Sequence, residues 1–292
     1  MKSYGFVLVF AAALVLTAGC ARRETSQPVA QRGHPLTGEV ISIDPERNVM
    51  IVRHDPIEDL MPAMTMEFLV SPGDVAVIKP GQRIRARLIP SANDDWRLES
   101  IWPDDAASEA AVAARAQALR QETMIRGKNA YREVGEAIPD FALYDQDARV
   151  VQSTRFRGKQ IMLNFIFTRC PVATMCPAAT AKMMQTQRLA REAGVTNLEL
   201  VSITLDPDYD TPGVLKEYAQ QRGIDTSNFS FLTGPEAAIK DLLVQFGVIA
   251  ESEGDLIKHT LATLLIDADG RIAHRTDGSV WEPKEFVAKM KK

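Results

Sequence analysis

One segment decides the fold of this chain: Phe165-Ile-Phe-Thr-Arg-Cys170-Pro-Val-Ala-Thr-Met-Cys176-Pro177. Residues 161–167 form an apolar run whose length and Phe and Ile content predict a buried strand. Residues 178–193 are rich in Ala, Met and Gln and contain no Pro or Gly, so they predict a helix that ends at Gly194. Two cysteines therefore stand between the end of a strand and the start of a helix.

The position of the cysteine pair leaves two interpretations open. Backbone N–H groups and the dipole at a helix start stabilise thiolate, which is the form that attacks disulfides and binds soft metal ions. The alternative is a plain structural disulfide. The spacing Cys170-x5-Cys176 matches no standard zinc or thioredoxin spacing, so it does not decide between them.

Length and charge set broad limits on the molecule. The chain has 292 residues, which predicts about two domains. Its net charge of −4 gives no sign of a nucleic-acid partner. The motifs of nucleotide-binding loops and of zinc proteases are absent from the sequence.

The N-terminus predicts export. Lys2 precedes an apolar run over residues 6–18 that is too short for a membrane-spanning helix. Leu16-Thr-Ala-Gly-Cys20 resembles a bacterial lipoprotein box, which implies cleavage before Cys20 and lipidation of its thiol. The alternative is ordinary secretion, with Cys20 removed or free. We expect a signal peptide over residues 1–19, a tether over 20–34, and a lipid-anchored protein at the periplasmic face of a bacterial membrane.

The rest of the chain predicts an α+β multidomain protein. Residues 35–103 carry five strand candidates, which suggest a small closed barrel. Residues 104–134 are rich in Ala, Arg, Gln and Glu and predict a semi-rigid helical connector, with a break near Gly127. Residues 135–292 alternate strands and helices and predict an α/β sandwich of one mixed sheet with helices on its faces.

Within the barrel, a histidine and two methionines form a candidate metal site. His54-Asp-Pro-Ile is followed by Met61-Pro-Ala-Met64-Thr-Met66. Met64 and Met66 lie two residues apart on a predicted strand, so both side chains leave the same face. Thioethers and an imidazole prefer Cu(I) or Ag(I) to hard cations. The competing interpretation is that the methionines simply fill the barrel interior.

These residues resemble the CusF-type periplasmic copper-binding domain. The resemblance covers about residues 36–103 and implies an OB-like barrel of five strands, with copper held by His54, Met64 and Met66. That family often carries a tryptophan cap three residues before the first methionine. Met61 stands there in this chain, where we expect it either to pack or to add a thioether.

Residues 135–292 resemble the Sco/SenC family of thioredoxin-like proteins. Beyond the apolar strand into Cys170, the resemblance rests on Gly135-Glu-Ala-Ile-Pro-Asp-Phe, Phe156-Arg-Gly-Lys, Val201-Ser-Ile-Thr-Leu-Asp-Pro, Asp210-Thr-Pro, Leu215-Lys-Glu-Tyr-Ala, Phe231-Leu-Thr-Gly and Lys258-His-Thr. It implies that one copper ion binds Cys170, Cys176 and His259. Two thiolates and an imidazole suit Cu(I) and can also accept Cu(II).

Two features of this site differ from the family pattern. The cysteine spacing is Cys-x5-Cys where the family has Cys-x3-Cys, and Lys258 stands where an acidic residue commonly precedes the histidine. Because a positive charge disfavours Cu(II) relative to Cu(I), our hypothesis is a site biased toward Cu(I). A strong and stable Cu(II) absorption band in the loaded protein would contradict it. The acidic run Asp206, Asp208 and Asp210 is expected to shape its Pro-containing loop instead of binding a cation.

The resemblances together imply an extracytoplasmic copper metallochaperone. The expected recipient is a cuproenzyme, above all the dinuclear copper centre of a cytochrome c oxidase subunit. A relay from the barrel to the C-terminal site is a further hypothesis, at an effective concentration set by the connector. The alternatives are a thiol:disulfide oxidoreductase with Cys170 attacking and Cys176 resolving, sequestration of copper or silver, and, third, a peroxidase.

Overall fold

The computed structural model describes residues 33–90, 95–127, 130–253 and 256–291. The first of its elements are β1 (His34–Asp44), β2 (Val49–His54), β3 (Met64–Leu69), α1 (Pro72–Val77), β4 (Arg83–Ile89) and β5 (Arg97–Pro103). The five strands form a closed barrel in the order β1-β2-β3-β5-β4, which confirms the predicted architecture. The interior is apolar and includes Val40, Val52 and Phe68.

Helix α1 has no counterpart among the predicted elements. Ser71 caps it by accepting a hydrogen bond from the Asp74 N–H at 3.0 Å, and Pro72 occupies its first turn. The helix has six residues, which is too few to establish an apolar periodicity in the sequence.

The connector forms the helix α2 (Ala106–Arg126). Asp105 caps its start by accepting a hydrogen bond from the Ser108 N–H at 2.7 Å. It ends at Gly127, whose φ of 89° suits glycine, as the sequence predicts.

The remaining elements follow the predicted alternation. They are β6 (Ala142–Asp145), β7 (Val150–Gln152), β8 (Gln160–Ile166), α3 (Cys176–Glu192), β9 (Leu198–Thr204), α4 (Pro212–Gln221), β10 (Phe229–Thr233), α5 (Glu236–Phe246), β11 (Ala250–Glu253), β12 (Leu256–His259), β13 (Ala262–Ile266), β14 (Ile272–Asp277) and α6 (Pro283–Lys289). Seven strands form one mixed sheet in the order β14-β13-β8-β9-β10-β6-β7, with β8, β9 and β10 parallel. The predicted α/β sandwich is confirmed.

Four strands, β6, β10, β11 and β12, are absent from the sequence-based prediction. Strand β10 has only five residues and is buried along its whole length, so no exposed face marks it in the sequence. Strand β6 is also fully buried and has only four residues. The hairpin of β11 and β12 stands apart from the main sheet and carries His259 at its end.

Helix α2, which the sequence predicts as a semi-rigid connector, packs against the C-terminal domain, a contact that the sequence does not predict. Val112, Leu119 and Thr123 are its buried residues. Gln245 on α5 donates to the Thr123 hydroxyl at 3.1 Å, and Arg120 pairs with the buried Asp241 of α5 at 2.9 Å. The Ala-rich sequence hides this face, because its few large apolar residues are spaced too widely to mark a stripe.

Candidate metal centre

The two cysteines lie on either side of an exposed loop. Strand β8 is buried throughout and delivers the chain to Cys170, which is partly exposed. Residues 171–174 are exposed, and Cys176 is then the first residue of α3 and fully buried. Both thiols are free in the structure.

His259 comes to the cysteines from the hairpin. It ends β12, opposite Ala250 of β11. Its Nδ1 lies 3.1 Å from the Thr260 carbonyl oxygen, a hydrogen bond in which the ring must donate because a carbonyl only accepts. Nε2 is then left with its lone pair and lies 3.6 Å from Cys176 Sγ. The hydrogen bond from Nδ1 to the Thr260 carbonyl thus fixes both the tautomer and the orientation of the ring, as is usual for a histidine that binds metal through its other nitrogen.

The structure therefore brings together all three residues that the sequence assigns to the C-terminal site. The ligand atoms of Cys170, Cys176 and His259 all lie within 4.8 Å of one another, and no other group of three His, Cys, Asp or Glu ligands occurs among the described residues. The edge of Phe167 packs on the imidazole at 5.5 Å between ring centroids. Two sulfurs and one imidazole nitrogen form a soft donor set suited to Cu(I).

The electrostatics differ from the sequence-based expectation. Burial raises the pKa of the Cys176 thiol to about 12, although the Phe167 backbone N–H lowers it. Burial also lowers the pKa of His259, so at neutral pH this pair carries a neutral thiol and a neutral imidazole. Burial therefore favours the neutral thiol at Cys176, contrary to the stabilised thiolate that the helix start suggests in the sequence. A soft cation bound at the sulfur would displace the proton and supply the missing charge.

Two aspartates of the acidic run hold the segment that leads into Cys170. The carboxylate of Asp210 is fully buried and accepts hydrogen bonds from the backbone N–H and hydroxyl of Thr168 and from the Thr204 hydroxyl at 2.6 Å. Asp206 accepts from Arg169 Nε at 2.6 Å. The run therefore shapes its own loop and the cysteine loop, in agreement with the loop interpretation.

These anchoring contacts are functional features that sequence reasoning missed. Thr168 and Arg169 are the polar residues between a buried strand and Cys170, and that position is the signal available in the sequence. Their partners lie 42 and 37 residues away, at Asp210 and Asp206. Local patterns do not reveal a pairing of that kind.

The barrel places His54 opposite Met64, and Met66 opposite Val52, in the antiparallel pairing of β2 and β3. All four side chains leave the sheet on the same face, because residues directly opposite and two apart share a face. His54 is buried with 1% exposure, Met66 is half-buried against the core, and Met64 is 45% exposed. The group therefore lies where one end of the barrel opens to solvent.

The burial of His54 fits a metal ligand. Its Nδ1 lies 2.7 Å from the Asp55 carbonyl oxygen, so Nδ1 carries the proton and Nε2 the lone pair. Nε2 is buried and has no hydrogen-bond partner in the described structure. An orphaned buried acceptor of this kind costs free energy unless a ligand satisfies it. Met61, where the cap of the CusF-type family would stand, packs half-buried against the barrel core.

The predicted lipidation site lies outside the described residues, since Cys20 and residues 1–32 are not part of them. Among the helices that the structure describes, none combines the length and the hydrophobicity that crossing a membrane requires.

Comparison with known proteins connects both regions to families. The family model described as SCO1/SenC matches residues 129–292, more than half of the chain, and the one described as copper binding periplasmic protein CusF matches residues 33–103. The SCO2-like protein of Rickettsia conorii is 33% identical over 168 residues, covering 54% of this chain and 79% of that protein.

Two solved structures are among those to which the chain is similar. A SCO1/SenC family lipoprotein from Bacillus anthracis is 28% identical, with a TM-score of 0.49 over 55% of this chain and 96% of that one. ScoI of Bradyrhizobium japonicum, solved with copper bound, is 26% identical, with a TM-score of 0.45 over 52% of this chain and 96% of that one. By the family match and the sequence identity, the chain belongs to the SCO1/SenC family, and its residues 33–103 match the model of the copper binding periplasmic protein CusF.

Proposed function

We propose that this protein is an extracytoplasmic copper metallochaperone with two Cu(I) sites. The observation that carries the proposal is the convergence of Cys170, Cys176 and His259, whose ligand atoms lie within 4.8 Å of one another. His54, Met64 and Met66 provide the second site, at the open end of the barrel. The metal ion is cargo, and both sites offer the soft sulfur and imidazole ligands that Cu(I) prefers.

The recipient that we propose is the dinuclear copper centre of a cytochrome c oxidase subunit or a similar cuproenzyme. Support for it comes from membership of the SCO1/SenC family, and the structure contributes the site that would release the metal. We also propose that a lipid on Cys20 holds the protein at the periplasmic face of the membrane. The lipoprotein-like sequence and the match to a periplasmic copper-binding family support this location.

An anaerobic Cu(I) titration of the full chain tests the two sites. We expect two tight equivalents in the unchanged protein, one in Cys170→Ser/Cys176→Ser and one in Met64→Leu/Met66→Leu. The Met-to-Leu change conserves volume, so the barrel should remain folded. A single equivalent that survives the cysteine substitutions unchanged would restrict copper to the barrel and remove the proposed delivery site.

A thiol:disulfide oxidoreductase is the second candidate, and one observation favours it. The sulfur of the partly exposed Cys170 lies within 4.8 Å of the sulfur of the buried Cys176, an arrangement suited to an attacking and a resolving thiol. His259→Ala separates the two functions. Copper delivery requires the imidazole ligand, whereas dithiol exchange with a model disulfide does not. Loss of exchange activity on removal of Cys170 with full retention in His259→Ala would favour the enzyme.

A further inference from the structure

The barrel has two distinguishable ends. Along β3, Met64 lies opposite His54, and Leu69 lies opposite Val49. A strand rises by about 3.3 Å per residue, so Met64 and Leu69 are separated by roughly 17 Å. The candidate copper ligands therefore mark one end of the barrel, and Leu69 marks the other.

The Leu69 end faces the C-terminal domain. Helix α1, which begins shortly after Leu69, packs against α4, and the two helices touch near their starts. Gly73 and Gly213 meet so closely that a Cβ at either position would overlap the opposite helix, including the Asp74 carboxylate. An open cleft of about 550 Å³ beside this contact is lined by residues of both domains, among them Val70 and Ser71 on one side and Thr168 and Arg169 on the other.

In this arrangement the end of the barrel that carries His54 and Met64 is the end remote from α1. Thr168 and Arg169 directly precede Cys170, so the segment leading into the C-terminal site lies on the side of α1. Met64 lies at the far end of β3 from α1. The barrel ligands therefore lie at the end of β3 opposite to the end that contacts the segment leading into Cys170, whereas ligand exchange needs both ligand sets on the ion at once.

A second contact holds the barrel in this orientation. Trp102 at the end of β5 packs edge-on against Tyr144 of β6, with 5.8 Å between ring centroids, and both belong to an apolar cluster with Val112 of α2. Ala148, in the turn after β6, packs against the barrel core. Because the domains are joined by α1, by Trp102 and by the packed helix α2, a swinging barrel would have to break three sets of contacts.

We infer that the barrel site exchanges Cu(I) with a different protein molecule and not with the Cys170–Cys176–His259 site of its own chain. The inference rests on the proposed function and commits to one partner, a second copy of this chain, whose C-terminal site carries the soft ligands. Its partly exposed Cys170 can approach the exposed Met64. The ion moves as Cu(I) without electron transfer. Bonds to sulfur and imidazole form as those in the barrel break, and each thiol that binds as thiolate releases a proton to solvent.

The test compares two solutions that contain the same concentration of each site. One is the unchanged full chain, and the other is an equimolar mixture of Cys170→Ser/Cys176→Ser and Met64→Leu/Met66→Leu. Each receives one equivalent of Cu(I) per barrel site from a weak acetonitrile complex under argon. Stopped-flow absorbance follows copper–thiolate bonds as the C-terminal site fills.

Exchange between molecules predicts the same time course in both solutions. The transfer phase should quicken about tenfold when the protein concentration rises tenfold, since no intramolecular effective concentration contributes. A transfer phase that is faster in the unchanged chain and independent of concentration would overturn the inference, and so would the absence of transfer at every concentration. Prior equilibrium titration and thermal melts of each variant separate these outcomes from a failure of the proposed function, which would appear as a missing equivalent of copper.

Discussion

The two histidines of the candidate copper sites stand in opposite surroundings. His54 lies inside the barrel with 1% exposure and an orphaned Nε2, on a strand whose neighbour carries both methionines. His259 stands at the end of a separate hairpin, and its Nε2 already contacts Cys176 at 3.6 Å. One site is built within a single sheet, and the other is assembled from two segments, the cysteine loop and a hairpin whose histidine lies 83 residues beyond Cys176. The comparison teaches that the first depends on local strand register and the second on the anchoring of its loops.

The largest expected effect removes the anchor of the cysteine loop. Asp210→Ala leaves the buried donors of Thr168 and Thr204 unpaired and should lower the free energy of unfolding by about 3 kcal/mol. We also expect a weaker C-terminal Cu(I) site with an unchanged barrel site, as measured by guanidinium unfolding and Cu(I) competition titration.

Asp208→Ala is the matched control, because Asp208 is an exposed aspartate of the same loop. Equal loss of copper affinity at both sites in Asp210→Ala would indicate a general loss of folding. That result would contradict the view that the C-terminal site depends on the anchoring of its loop while the barrel site does not.

A smaller effect concerns the contact between the domains. Burial raises the pKa of Asp74 to about 6 from 3.8, and the nearby Glu217 carboxylate adds to the rise. Because the folded pKa lies above the unfolded one, the favourable contribution of the protonated form is complete below about pH 4 and is lost as the pH rises through 6. Asp74→Asn should therefore stabilise the protein at pH 7.5, on the order of 2 kcal/mol, and hardly at all at pH 4.

Chemical denaturation of the Asp74 variant over that pH range measures the effect. Asp59→Asn provides the control, since Asp59 is exposed on the barrel and its φ of 57° is well tolerated by asparagine. The same stabilisation in Asp59→Asn, or a gain from Asp74→Asn that does not change with pH, would contradict a role for ionisation at the α1–α4 contact.

The smallest effect compares the histidines directly. His54→Leu removes the unpartnered buried Nε2 together with the Nδ1–H bond to the part-buried Asp55 carbonyl, which water can replace, so the metal-free protein should become more stable by at most about 1 kcal/mol while the barrel loses its copper. His259→Leu should bring no such gain, because its Nε2 is already in contact with Cys176. Thermal unfolding of the reduced, metal-free variants measures the difference. Destabilisation by His54→Leu would show that the imidazole serves the barrel core.

Much of the fold follows from patterns in the sequence. The five barrel strands form in the region that predicts them, and β8, α2 and α3 overlap the runs 161–167, 104–134 and 178–193, because apolar runs and capping residues act locally. Strands β6 and β10 escaped prediction because they have only four and five residues and are buried on both faces, so no sustained pattern of polar and apolar residues marks them. Helix α2 was recognised, but its packed face was not, since an Ala-rich helix shows little difference between its sides.

The candidate sites divide in the same way. The sequence supplied the soft ligand types and the family resemblance, and it placed Met64 and Met66 on one face. The position at a helix start suggested a stabilised thiolate at Cys176, whereas burial raises the pKa of that thiol to about 12. Desolvation depends on everything that packs around the sulfur, and no local pattern reports it.

The sequence by itself determined which elements form and which residues are able to bind a soft metal ion, because both follow from near neighbours and side-chain chemistry. Only the tertiary structure decided that His259 reaches Cys176 across 83 residues, that Asp210 anchors the loop, and that the barrel docks by the end remote from Met64. Those outcomes depend on contacts between segments far apart in the chain. Their free energies are set by the shape and burial of the complete fold.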